Sequence, residues 1–254
     1  VEYSDGKTVN FEVRLVPGRD YQFVVWADVV TNGKQDIDNH YVTMDANKKS
    51  TLGNITLNGE WNAMDESRDA FTATIPVNTY SGTSTINLEL TRPFAKLRVV
   101  TTDIKALSDL DIEPKQAKVE YTVALPNSFN AVTGKVGTTT ETKSFPLFDI
   151  AEYTGDVDGS KTLFTDYILV PESGVVKFTM EVNDQNGDLI KANAFTTDIA
   201  IKRNNLTTIA GNILTDGKNV NVEVKPGFGE DDTNYSVITS GSVLIKAIGT
   251  SGNY

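Results

Sequence analysis

Apolar residues recur at every second position along most of this chain, and Gly-containing turn pairs break the alternation at short intervals. A period of two is the signature of a half-buried strand and cannot be laid on one face of a helix. Phe11, Val13 and Leu15 alternate with Glu12, Arg14 and Val16, and the turn Pro17-Gly18-Arg19-Asp20 follows. Residues 21–29 then read as a strand whose apolar side chains fall on both faces, as in a strand buried between layers. Further strands are expected over residues 54–58, 71–77, 85–90, 94–101, 117–125, 163–170, 175–182, 206–214, 219–224 and 242–248. Asn32-Gly33, Asn58-Gly59, Asn186-Gly187 and Asp216-Gly217 are tight-turn signals. The clearest hairpin joins residues 175–182 to 189–195. Helical periodicity is confined to residues 103–110, with Asp103 as N-cap and Pro114 beyond the end, and to a short stretch near 60–67. Many short strands separated by regular turns predict an all-β fold of β-sandwiches with few short helices.

Thr91-Arg92-Pro93 is the expected domain boundary, because Pro93 cannot donate to a central ladder. It gives an N-terminal sandwich over residues 1–90 and a C-terminal one over 91–225. Residues 226–254 read as a Gly-rich acidic linker, Pro226-Gly227-Phe228-Gly229-Glu230-Asp231-Asp232, followed by one more strand. In that strand Val243, Ile245 and Ala247 share one face, so they are candidates for an assembly strand entering a groove. Lys246 would discourage uncontrolled edge pairing.

Composition removes several kinds of chemistry. With 254 residues the chain buries roughly 70 % of its unfolded surface and needs no covalent staple. It has 0 Cys and 1 His, which excludes disulfides, thiolate metal centres and multi-His sites. A net charge of −11 disfavours nucleic acid and anionic membrane surfaces. No apolar run is long enough to span a bilayer as a helix. The start at Val1 reads as a mature form, with any targeting segment outside it.

No catalytic constellation stands out, and no cofactor is expected. GxSxG, the phosphate-binding loop and GxGxxG are absent. His40, in Asp36-Ile37-Asp38-Asn39-His40, reads as part of a polar loop, because no second His completes a metal site. Residues 183–188 faintly resemble a calcium loop but lack its bidentate Glu, so a hairpin turn is expected. Glu230-Asp231-Asp232 reads as solvated linker. Trp26 lies in an apolar strand and should pack in a core, whereas Trp61 is open to a sugar-stacking role.

Five segments together resemble the fimbrillin-like proteins of Bacteroides-type bacteria, also called type V pilin-like or cell-adhesion proteins. They are Phe23-Val24-Val25-Trp26-Ala27-Asp28, Asp69-Ala70-Phe71, Leu90-Thr91-Arg92-Pro93-Phe94-Ala95-Lys96-Leu97, Phe129-Asn130-Ala131-Val132-Thr133-Gly134 and residues 202–215. The resemblance implies two tandem transthyretin-like β-sandwiches and export as a lipoprotein whose anchor lies outside this chain. It implies a place at the cell surface, in the outer membrane or a fimbrium. Partners would be other fimbrial subunits and a host or bacterial surface ligand. In that family a protease removes an N-terminal strand after Arg, and the groove accepts a strand from the next subunit. Here Arg19 is the candidate processing site, and cutting there would release residues 11–16. The expected function is therefore a non-catalytic fimbrial subunit joined by β-strand addition, with a surface glycan-binding module as the alternative.

Overall fold

The computed structural model describes residues 2–3, 9–10, 12–31, 37–83, 85–153, 156–228 and 241–251, and it is all-β. Eleven longer strands carry the fold. They are β1 (Tyr21–Thr31), β2 (Ala70–Val77), β3 (Phe94–Thr101), β4 (Pro114–Tyr121), β5 (Ser144–Asp149), β6 (Lys161–Leu169), β7 (Ser173–Asp184), β8 (Leu189–Lys202), β9 (Asn205–Gly211), β10 (Asn221–Pro226) and β11 (Gly241–Ser251).

Two four-stranded sheets enclose the larger core. One has the order β5-β4-β7-β8, all antiparallel; the other has the order β6-β3-β9-β10, with β3 and β9 parallel. Alternation places Ala95, Leu97 and Val99 of β3 in this core, facing Val119 and Tyr121 of β4 and Val176, Phe178 and Met180 of β7. β7 and β8 form the expected hairpin, and its turn uses Gly187 at φ 87°.

A third sheet, β11-β1-β2, is antiparallel throughout. A fourth is built from short strands in the order Lys135–Val136, Ser128–Asn130, Ile55–Leu57, Tyr41–Val42. Residues from before and after Pro93 therefore share one ladder. They also share the second core, in which Val24, Trp26, Tyr41, Ile55 and Ala70 pack with Phe94, Phe129, Tyr167, Leu169 and Leu206. Both faces of β6 are consequently covered, Leu163, Phe164 and Ile168 in one core and Tyr167 and Leu169 in the other.

Four local expectations are corrected. Residues 12–16 form no strand, and Val13 and Val16 are 51 % and 62 % exposed. Residues 85–90 form none either, and only Thr91 bridges to Thr72. Alternation gives a segment two faces, but a ladder needs a partner edge, and among the described residues neither segment has one. The helix spans only Ile104–Ser108, and the Asp103 carboxylate does not cap it. It accepts instead from the backbone N–H groups of Leu214 and Thr215, at 3.1 and 2.8 Å. Finally, the stretch read as linker begins inside the fold, since Phe228 is 1 % exposed and packs against Tyr167 with ring centroids 5.9 Å apart. The second short helix is the 3₁₀ turn Glu66–Arg68.

Candidate assembly site at a sheet edge

β1 is the central strand of its sheet because its two flanks are filled from opposite ends of the chain. β2 follows it in sequence, whereas β11 is the last described element. β11 pairs with β1 along all eleven residues, from Gly241 opposite Thr31 to Ser251 opposite Tyr21. Val243, Ile245 and Ala247 lie opposite Val29, Ala27 and Val25, and Leu244, Lys246 and Ile248 opposite Asp28, Trp26 and Val24. Within its sheet β11 is paired with β1 alone.

The turn before β1 is pinned from β2's end. Gly18, at φ 76°, donates its N–H to the Tyr80 carbonyl (2.8 Å), and Tyr80 donates back to the Arg19 carbonyl (3.0 Å). Thr79 donates its N–H to Asp20 Oδ1 at 2.6 Å. The Arg19 side chain is exposed. Upstream, Val16 donates its N–H to the Tyr21 hydroxyl (2.8 Å), which donates to the Val16 carbonyl (3.1 Å).

Beside the second core lies a group of buried polar side chains that the sequence did not announce. Lys96 Nζ is 2.6 Å from Glu66 Oε2, and the Tyr167 hydroxyl donates to the same oxygen at 2.7 Å. Arg92 makes a two-pronged contact with the Asp69 carboxylate, Nε at 2.8 Å and Nη2 at 2.7 Å. Asp166 accepts from Trp61 Nε1 (2.7 Å), the Tyr121 hydroxyl (2.9 Å) and the Tyr167 N–H (2.8 Å). Burial raises the Asp166 carboxyl pKa against these bonds, and burial pushes the Tyr41 and Tyr121 phenols well above their ordinary value. Burial lowers the Lys143 and Arg68 pKa values. The available signal for this group was Lys96 itself, a charge within the apolar run Phe94-Ala95-Lys96-Leu97.

Trp61 is half-buried at a cleft of about 300 Å³ lined also by Leu57, Lys143, Ser144 and Phe145. Arg68 and Lys143 both lie over its ring, 3.7 and 3.8 Å from the centroid. Two cations on one indole leave little ring surface for a sugar to stack on.

His40 does meet an acid and a hydroxyl, but not as a catalytic relay. Its Nε2 is 2.7 Å from Ser67 Oγ and 3.7 Å from Asp65 Oδ2, while Ser67 Oγ donates to Asp65 Oδ1. The Ser67 proton is thus directed to the carboxylate, and the imidazole is left to donate rather than to act as base. Burial lowers the His40 pKa, against the pull of Asp65. A lowered native value means that the unfolded chain takes up the proton first as pH falls through about 6.5. Stability should therefore fall between about pH 6.5 and the depressed native value, and level off below it. His40→Gln should flatten that part of the curve, as read by urea melts at successive pH values; an unchanged slope would refute it.

The 183–188 stretch is the turn expected, closed by the Asp184 carboxylate, which accepts from the N–H groups of Asn186 (2.8 Å) and Asp188 (2.9 Å). These bonds lower its pKa against desolvation, which acts to raise it. Glu230, Asp231 and Asp232, and the Asn32-Gly33 turn, lie outside the described residues. Trp26 is buried, as expected.

Fold and site define an all-β protein whose last described strand completes the sheet opened by its first long strand. The chain belongs to the family of unknown function DUF6562, whose profile matches residues 1–243. No protein of curated function matches it. Among solved structures it is similar to a proposed cell adhesion protein of Bacteroides ovatus, at 13 % identity over 90 % of this chain and 75 % of that one, with a TM-score of 0.42. It is also similar to a proposed adhesin of Bacteroides thetaiotaomicron, at 11 % identity over 86 % and 81 %, with a TM-score of 0.42. A proposed cell adhesion protein of Bacteroides uniformis shows 16 % identity over 84 % and 93 %, with a TM-score of 0.39. No helix among the described residues is long and apolar enough to cross a membrane.

Proposed function

We propose that the protein is a non-catalytic structural or adhesive subunit of a bacterial surface fimbria, and that copies join by strand addition at the β1 edge. The observation that carries this reading is β11, an eleven-residue strand from the far end of the chain, held in its sheet through β1 alone. Main-chain hydrogen bonds do not distinguish a strand of the same chain from that of another copy, so the same ladder serves a closed monomer and a polymer. The unladdered residues 12–16, exposed apart from the half-buried Leu15, and the exposed Arg19 fit removal of the N-terminal segment after Arg19. The partners are then other fimbrial subunits and the place is the cell surface. The cations over Trp61 weigh against the glycan-binding alternative.

The absence of Cys makes the test direct. Val29→Cys combined with Val243→Cys puts two thiols at paired positions of the β1–β11 ladder. The purified monomer should close the bond within one chain, and protein from the cell surface should run as a disulfide-linked ladder on non-reducing gels. Surface protein cross-linked only within single chains would overturn the reading.

A further inference from the structure

We propose that residues 12–16 of one copy add, antiparallel, to the free edge of β10 in a second copy. Among the described residues β10 is the outer strand of its sheet, and every residue of it is exposed. Val220, Val222 and Val224 form an alternating stripe on one face, 43 %, 46 % and 38 % exposed. Asn221, Glu223 and Lys225 occupy the other, with Lys225 Nζ 3.3 Å from Glu223 Oε2. An open edge carrying an apolar stripe is a template for another strand.

Residues 12–16 have the complementary pattern and no ladder of their own. Laid antiparallel with Glu12 opposite Lys225, they set Val13 opposite Val224, Arg14 opposite Glu223 and Leu15 opposite Val222. Both cross-strand charge pairs are opposite in sign, and both apolar pairs fall on the valine face. A one-residue slip turns the apolar residues onto the charged face, and the parallel register keeps the apolar pairs but loses the Glu12–Lys225 pair, leaving Arg14–Glu223 as its one opposite-charge pair. The segment is not seated on β10 in its own chain, where Val16 is held at the Tyr21 hydroxyl.

Each copy carries one donor segment and one acceptor edge, so the contact is heterologous and extends into open chains. Five paired residues make it weak and reversible. It belongs to the uncut chain, because cleavage after Arg19 would remove the donor, and it does not depend on exchange of β11.

Val13→Cys and Val224→Cys, made separately in the Cys-free chain and mixed under mild oxidation, test it. The mixture should yield a disulfide-linked heterodimer, and the double variant should yield a ladder. Replacing Val224→Cys by Val220→Cys should lower the yield severalfold. Glu223→Arg should lower it about fivefold, and adding Arg14→Glu should restore it. Cross-links confined to single chains, or equal yields for the 224 and 220 positions, would overturn the proposal. The Val29–Val243 cross-link reports separately on the β1 edge.

Discussion

Trp26→Ala is expected to destabilise the protein by about 3–5 kcal/mol, enough to lower the melting temperature by roughly 6–20 °C. Trp26 is 0 % exposed and sits where both halves of the chain meet in the second core. Its ring meets Tyr41 edge-on at 5.3 Å and Phe129 at 6.2 Å, and its Nε1 donates to Asp28 Oδ2 at 3.0 Å. Truncation removes the largest side chain of that core together with two aromatic contacts. It also takes a donor from a buried carboxylate, which adds a polar cost to the cavity. Because Tyr41 stacks in turn on Phe94, the void has few routes by which to collapse. Melting at the wild-type temperature would show that the indole is not a core residue.

Lys96→Met should cost about 3 kcal/mol, the lower end of the range for breaking a buried ion pair, because Glu66 keeps some exposure. Lys96 projects from β3 onto the face of the second core, 1 % exposed at its side chain, and meets Glu66 from the 3₁₀ turn. Without the ammonium, Glu66 keeps the Tyr167 hydroxyl and a longer contact with Thr165 Oγ1 at 3.3 Å. Those neutral donors do not balance a carboxylate in a partly desolvated place. The double variant Lys96→Met, Glu66→Leu should recover most of the loss, since neither charge is then stranded. Urea unfolding of the four proteins gives the cycle. If the double variant is as unstable as the sum of the singles, the two residues act independently and the pair is not what the cost measures.

The strands that could be read from sequence were those whose alternation coincides with burial. β3 runs from Phe94 to Thr101 as the pattern predicts, and the β7–β8 hairpin turns at Asn186-Gly187. The burial of Trp26 followed from the apolar residues around it. Residues 12–16 and 85–90 alternate equally well and form no strand, so the pattern was necessary without being sufficient. Nothing local marks Phe228, which lies in a stretch rich in Gly and acid and yet packs into the second core. The same holds for the cations over Trp61, which come from residues on either side of Pro93 in sequence.

The amino-acid order by itself determined the class of structure, the faces of the strands and the places where the chain turns. Each of these depends on neighbours within a few residues, through side-chain alternation and the φ values open to Gly and Pro. Only the tertiary structure decided which edges pair. It placed β11 beside β1 across more than two hundred residues of sequence and left residues 12–16 outside the ladder. A strand's pattern records which side is apolar, whereas its open N–H and C=O groups can bond to any edge within reach. The partner is therefore settled by competition among distant segments for the same edge, and that competition exists only once the chain has been brought together.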